Sequence, residues 1–471
     1  MLHWLRCCVA GCAAGALAVL PAAHASGRRA VSNAYAPGRH AVSDAPTAWA
    51  MPGHDAQRTS QGAGMGPQRI TKPTLVLAGL TSEPPIIGRD GALYGFLDRG
   101  TPRARLAVVS PAGRVRWTAG AALPAWWNAE GPDPYPVLAP AGAVTFGGGA
   151  CPQPAFVAID LAQHEGSDGC LTTVGPDGQA PRHVATRGLV KAGPTLLVEA
   201  DGTVVRATLG PSSGFVSRAD DARRNLTLFA PDGSTRRWGA GCSWDNTAAG
   251  MDGWLYAIAH SHPGGPCPGY TVDHSRYGQA GQPQSVVTFT PGGARAWMTP
   301  LPAECSGLAL SVAPGYVYVG ATCATTSAGG HMHARVYALD TQGRLLWTAQ
   351  GAPDGWPALA LDRTSGDLWV ADRASVRRLS LLGVRRWQAT WRPSLANARE
   401  TLVLDARGTA YVCGADGLLR VISPAGHLLW QYQFSPPRYG FGADAPSAAL
   451  GPDGKLYVSS AGAAGVVVFA P

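Results

Sequence analysis

The sequence predicts an all-β chain, an eight-bladed β-propeller of four-stranded antiparallel blades closed by an N-terminal strand, and three observations carry that prediction. First, a tight glycine turn followed by a short apolar strand recurs at Gly91, Gly142, Gly202, Gly253, Gly315, Gly366, Gly408 and Gly454. These are separated by 42 to 62 residues, a period in the range of propeller blades. Second, an alternating strand that turns through Ser-Pro-x-Gly or an equivalent and ends in Trp recurs within the period. Third, Gly (61) and Pro (39) make up about a fifth of the 471 residues, against an average of roughly 12%, so turns and not long helices shape the chain.

Residues 1–25 read as an export signal: Arg6 ends a short n-region, an apolar stretch runs from Cys7 to Leu20, and Ala23, His24, Ala25 form a small-x-small cleavage site. Such a stretch is too short to be a transmembrane segment. A rival reading takes Val9, Ala10, Gly11, Cys12 as a lipoprotein box that lipidates Cys12, but it leaves only five residues after Arg6 for the h-region. The mature protein is therefore expected to be exported, periplasmic or extracellular, and to act as a monomer. Residues 26–48 are small, polar and aperiodic and read as a flexible leader. The propeller spans 49–471.

In an exported chain, cysteines are disulfides by default. Cys151 with Cys170, Cys242 with Cys267 and Cys305 with Cys323 pair in sequence order and leave Cys413 over. No Cys-x-x-Cys occurs, which argues against structural zinc. The net charge of +8 comes from arginines that are scattered along the chain and not clustered, so a solvated surface is expected and nucleic acid is not.

Within each blade the Asp-Gly type of turn joins strands A and B, and the Pro-x-Gly type joins C and D. The Trp after the second turn is Trp117, Trp238, Trp297, Trp347, Trp387 or Trp430. In five copies it lies four residues beyond the turn Gly; in the copy with Gly233 and Trp238 the spacing is one longer. A fixed spacing sets the indole at one height, where it fills the gap between neighbouring sheets and hydrogen-bonds through its N–H. The motif is missing from the second and eighth blades, which read as degenerate. The last blade, from about Ser447, has no room for a fourth strand, and Leu75, Val76 and Leu77 are placed to supply it.

Tyr337, Ala338, Leu339, Asp340, Gly343, Trp347 and, later, Ala449, Leu450, Asp453, Gly454, Leu456, Tyr457 resemble the pyrroloquinoline quinone-type (PQQ-like) propeller repeat. Trp49, Met51, Gly53, His54, Asp55, Gln57, Arg58, Thr59 is similar to the segment that leads into many exported propellers of this kind. The resemblance covers about 420 residues and implies fold more than activity. The family includes quinone-dependent dehydrogenases, an outer-membrane assembly lipoprotein and propellers with no assigned role.

Tight A–B and C–D turns share one face of the ring, so the long B–C and D–A connections share the other, for example about Thr208 to Asn225 and Ala259 to Gln284. Long loops on a rigid scaffold mark the expected functional face, drifted loops of no consequence being the plainer account. Just before strand A an acid recurs in seven blades: Glu83, Asp133, Asp245, Glu304, Asp354, Glu400 and Asp444; the third blade offers Arg187 and Lys191 instead. A ring of such carboxylates suits calcium, or the polar groups of a carbohydrate or protein partner. Trp126, Trp127, Trp244, Trp356 and Trp391, with Tyr439 and Phe441, accompany the acids and suit stacking on sugars, or packing beneath loops.

His260 with His262 and His331 with His333 form two His-x-His pairs near adjacent loops, and His274 with Tyr277 offer a base and an acid for lyase chemistry. The adjacent cysteine pair implied by the quinone enzymes is absent from the mature chain, so a PQQ cofactor is not expected. The reading that results is an exported, non-enzymatic binding or scaffolding module. A polysaccharide lyase with a metal at the propeller mouth is the alternative, and a quinone-dependent dehydrogenase comes third.

Overall fold

The computed structural model describes the chain from Met51 onward, except residues 52, 56, 99–104, 120–135, 149–168, 180, 187–195, 208–225, 240–241, 261–283, 325–331, 354, 393–400, 435–445 and 461–464. These residues form eight four-stranded antiparallel sheets, the blades of a propeller. Among them no helix is long and apolar enough to cross a membrane.

Strand A is Thr81–Ile87 in blade one, then Val137–Leu138, Leu196–Val198, Ser243–Ala249, Cys305–Ala313, Ala358–Leu361, Thr401–Leu404 and Ser447–Leu450 in blades two to eight. From blade two round to blade eight and on to blade one, neighbouring A strands pack against one another and so form the inner wall. Blade eight takes its outermost strand from the other end of the chain. Thr74–Ala78 pairs antiparallel with Gly465–Phe469, Thr74 opposite Val468 and Ala78 opposite Gly465.

All eight A–B glycines stand at positive φ, from +75° to +87°, the left-handed region where a side chain is strained. A carboxylate braces several of these turns. Asp405 Oδ1 accepts from the backbone N–H of Arg407 and Thr409 at 2.9 and 2.8 Å. In blade three the same position, three residues before the turn glycine, holds Glu199, which makes no side-chain hydrogen bond among the described residues. Burial pushes the Glu199 carboxyl up to about 7, with help from Asp201 and against Arg236. The folded state thus keeps a proton that the unfolded chain releases near 4.5. Stability from this site is full below that pH and is lost as pH rises towards about 7. Melting curves between these limits should show a decline that Glu199→Gln abolishes; an identical slope in the variant would refute the assignment.

Buried apolar clusters bridge the blades pairwise: Phe96 meets Phe146 edge-on between blades one and two at 5.5 Å, Ile258 joins Val319 between four and five, and Trp369 joins Val412 between six and seven. One further cluster holds Val421, Val458 and Leu93, from blades seven, eight and one.

The repeated tryptophans seal these seams. Five of the six indoles, all but Trp430, rest on the C–D turn glycine of the next blade, and four donate the N–H into that turn: Trp117 to the Pro176 carbonyl at 2.9 Å, Trp297 to Thr341 at 2.8 Å, Trp347 to Leu381 at 2.8 Å and Trp387 to Pro424 at 2.9 Å. In the blades with the four-residue spacing, a β-bulge lies between the turn and the Trp, so that Ala338 faces Trp347 while Leu339 faces Leu345. Blade three has no such bulge, and Trp238 sits opposite Leu226. One extra residue is then needed to keep the indole on the same side of the sheet, because each single step along a strand reverses the side.

Blades two and eight lack the tryptophan, as their sequence indicates, and other groups fill those seams. Blade two keeps the turn at Pro176–Gly178, and Arg182, opposite Thr173, stands where the Trp would be. A Cβ on Gly233 of the next blade would lie 1.9 Å from the Arg182 guanidinium. Blade eight has no covalent C–D turn, and the Trp430 indole of blade seven donates instead to the Pro67 carbonyl at 3.2 Å.

Candidate functional site

The turn-face ends of the inner strands are not open. The described residues between Met51 and Gln68 run across those of blades three to eight and satisfy backbone groups that the sheets leave unpaired. Gln57 O accepts from Val312 N of blade five at 2.9 Å, Thr59 O from Leu361 N of blade six at 2.8 Å and Ser60 O from Leu404 N of blade seven at 2.8 Å. Gly62 N donates back to Leu404 O at 2.9 Å. A Cβ on Gly64 would meet the Gly451 carbonyl of blade eight at 2.7 Å. The Arg58 side chain, 7% exposed, donates through Nε to the Thr247 carbonyl of blade four and through Nη2 to the Leu196 carbonyl of blade three.

The strap is held in shape by charge. Three of its non-glycine residues have left-handed backbone, His54 at φ +77°, Arg58 at +55° and Ser60 at +52°, each a cost of about 1 kcal/mol or more. Asp55 offsets that cost. Its carboxylate accepts from Thr59 N at 2.9 Å and Thr59 Oγ1 at 2.5 Å, lies 2.9 Å from His54 Nδ1, and pairs with the Arg363 guanidinium of blade six. Burial alone would raise this carboxyl, but Arg363, His54 and Thr59 outweigh it and hold Asp55 well below the usual carboxylate range.

On the opposite, loop face, the acids expected before strand A are distributed differently. Glu83 and Asp245 lie within strands A of blades one and four; they do not precede them. Asp245 stands at a β-bulge, and the bulged residue beside it, Asn246, donates to the Leu308 carbonyl of blade five at 2.8 Å. Glu304 is exposed at the start of strand A of blade five. Asp133, Asp354, Glu400 and Asp444 lie outside the described residues, as do Arg187 and Lys191.

The aromatic residues divide in the same way. Trp244 is not an exposed platform. It is 1% exposed, meets Phe289 edge-on at 5.4 Å and donates to the Gly239 carbonyl at 3.0 Å, so strand alternation has turned it into the core between blades three and four. Trp356 is half-buried just before strand A of blade six. Trp391, also half-buried, donates to the Arg373 carbonyl at 3.1 Å, and the Arg420 guanidinium covers one face of its ring at 4.7 Å. Trp126, Trp127, Tyr439 and Phe441 lie outside the described residues, together with His262, His274, Tyr277 and His331. His260 and His333 belong to strands of blades four and five. Among the described residues no three His, Cys, Asp or Glu are grouped to hold a metal ion.

Cys305 and Cys323 face each other on strands A and B of blade five and form a disulfide. The Tyr337 hydroxyl lies 3.0 Å from the first of these sulfurs. Cys242 is disulfide-bonded as well; Cys151 and Cys267 lie outside the described residues.

Blade six closes its loop-face end with an ion pair that sequence reasoning missed. Asp372, fully buried, accepts from Arg377 Nη2 at 3.2 Å, Ser375 Oγ at 2.9 Å and Ala352 N at 3.1 Å. Arg377 reaches back to the Gln350 carbonyl of blade five, and burial lowers its pKa against the pull of Asp372. The signal available beforehand was a charge inside an apolar strand, as in Ser-Val-Arg-Arg-Leu at 375–379, or Val-Val-Arg-Ala at 204–207.

No protein-family model and no curated protein matches the sequence. Among solved structures, the chain is similar to a europium-containing methanol dehydrogenase, at 12% identity over 88% of this chain and 89% of that one, with a TM-score of 0.52. It is similar to a quinohemoprotein alcohol dehydrogenase from Comamonas testosteroni at 13% identity over 88% and 76%, TM-score 0.51. BamB from Moraxella catarrhalis aligns at 14% identity over 84% and 98%, TM-score 0.41. At these identities the likeness is one of fold.

Proposed function

We propose that the chain is an exported PQQ-like propeller that works as a non-enzymatic binding or scaffolding module, taking a carbohydrate or protein partner on the loop face. One observation carries this reading: the strap of residues 51–68 occupies the turn-face end of the inner wall, bonded to A strands or their turns from blade three to blade eight. A ligand on the propeller axis therefore approaches from the loops. Half-buried Trp356 and exposed Glu304 offer an apolar ring face and a carboxylate there, a pairing that suits sugars and polar peptides. The carboxylates expected around this mouth would add calcium affinity.

A second reading, a quinone-dependent dehydrogenase, is favoured by the two dehydrogenase structures with TM-scores of 0.52 and 0.51. Against it stands the sequence: the adjacent cysteines that the resemblance implies beside the quinone do not occur after Cys8. No step is routed through that cofactor.

The test uses the mature protein on a glycan array and an array of peptides from exported proteins. Glu304→Gln with Trp356→Ala should weaken each Kd at least tenfold. Leu382→Ser, at an exposed side chain in a C–D turn, should leave it unchanged. Absence of binding on both arrays, combined with new double bonds from an anionic polysaccharide or dye reduction on addition of the quinone, would replace this reading with an enzymatic one.

A further inference from the structure

Arg206 lies in strand B of blade three, in the run Val-Val-Arg-Ala, and is 2% exposed. A buried arginine is ordinarily paired, because an isolated charge loses its hydration on burial. Arg206 is not: it has no ion pair among the described residues, and its Nη2 is buried without a hydrogen-bond partner. Burial alone drives its pKa down, to about 10.

Strand register shows which seam it occupies. Trp238 rests on Gly293 of blade four, so Leu226, opposite Trp238, and Ala207, opposite Leu226, share the face towards blade four. Arg206 is one residue from Ala207 and points to the other side, towards blade two. Its cross-strand row is Leu196, Arg206, Thr227, Arg237. On blade two, Arg182 approaches Gly233 of blade three, which puts the row Val137, Thr145, Thr173, Arg182 on the facing side. The Thr145 and Thr173 hydroxyls bond each other at 2.9 Å. Neither row contains a carboxylate. Among the described residues the two rows thus bring together a buried guanidinium, one further arginine on each sheet and three threonines; the Asp232 carboxylate, in the C–D turn of blade three, acts on Arg182 at the rim and makes no ion pair with Arg206.

We infer that the seam between blades two and three is an oxyanion-binding site, with the Arg206 guanidinium as its principal donor and a small carboxylate or phosphate as its ligand. The planar fork of Arg matches both oxyanions, and hydroxyl donors beside it suit the oxygens that the guanidinium does not reach. This site lies between two blades, apart from the loop-face mouth, and does not depend on the reading given above.

Thermal unfolding of the whole mature protein, titrated with inorganic phosphate and separately with acetate and citrate at constant ionic strength in chloride, tests it. The wild type should show a saturating rise in Tm with at least one of these, and the more effective one identifies the ligand class. Arg206→Gln and Arg206→Met should remain folded and lose the response at least tenfold in half-saturating concentration, while Arg237→Gln should lose part of it. A wild type insensitive to all three anions, or an Arg206 variant with the wild-type response, overturns the site. Should neither Arg206 variant fold, hydrogen exchange of wild-type Val204–Ala207 decides: slowing by phosphate or a carboxylate supports the site, and unchanged exchange overturns it.

Discussion

Trp387→Ala should lower the unfolding free energy by about 3–5 kcal/mol, the cost of emptying a large aromatic site in a packed seam. The Trp387 ring meets Trp369 at 4.8 Å and 82°, and Trp369 is itself fully buried. Its N–H is one of two donors on the Pro424 carbonyl; Arg378 Nη1 is the other, at 3.1 Å. Removing the indole therefore opens a cavity between blades six and seven and takes away one of the two donors to the Pro424 carbonyl. Gly426→Ala attacks the same contact from the other side, since its Cβ would lie 2.7 Å from Trp387 Cδ2 at φ +89°. In the Trp387→Ala background the clash disappears and only the backbone strain remains. The two losses should then fall short of additive by about 1 kcal/mol or more, as read from urea midpoints of the four proteins. Additive losses would mean that the indole and the turn do not share one seam.

The second large effect is expected at Arg58. Arg58→Ala removes two charge-assisted bonds to buried carbonyls, of Thr247 and Leu196. The left-handed backbone at φ +55° then loses these two side-chain anchors and keeps its own bond from Arg58 N to the Asp55 carbonyl. Lost bonds to charged donors are worth about 1.5–3 kcal/mol each, so the net loss should be about 3 kcal/mol. The change should also free the strap: limited proteolysis should cut between residues 51 and 68 in the variant before it cuts any blade. Cleavage in the blades at the same rate as in the strap would show that the segment and the ring open together.

The turn glycines were readable because the left-handed backbone excludes other residues, and Gly91 through Gly454 leave that constraint in plain view. The tryptophans were readable for a related reason: an indole that must reach the next blade needs a set distance from its turn. The spacing to Trp238 is the instructive deviation. An additional residue looks like drift in a sequence, yet it compensates for a missing bulge, and bulges have no reliable residue signature. Blade two lacks the tryptophan, as its sequence indicates, and what replaces it was not legible. Arg182 fills the indole's place with a long side chain of different chemistry, which a search for Trp passes over.

The site residues were less readable. Glu83 and Asp245 were expected ahead of strand A because strand starts are poorly marked in sequence, and both lie inside the strand. Trp244 was grouped with loop aromatics by its neighbours in the chain, but the alternation of its strand sends it inward, against Phe289. Asp55 with Arg363, and Arg58 with Thr247, join residues separated by 308 and 189 positions. No local pattern announces such pairs.

The blade count, the turn chemistry and the strand that completes the last sheet could be read from the residues alone, because each depends on backbone conformation or short-range spacing written into consecutive residues. The packing of the blades alone shows which end of the inner wall the chain covers with its own strap, which side of each sheet a polar residue faces, and that Arg206 is buried with no ion pair among the described residues. Those outcomes depend on the packing of blades distant in sequence, where a one-residue shift in register exchanges the buried and the exposed side.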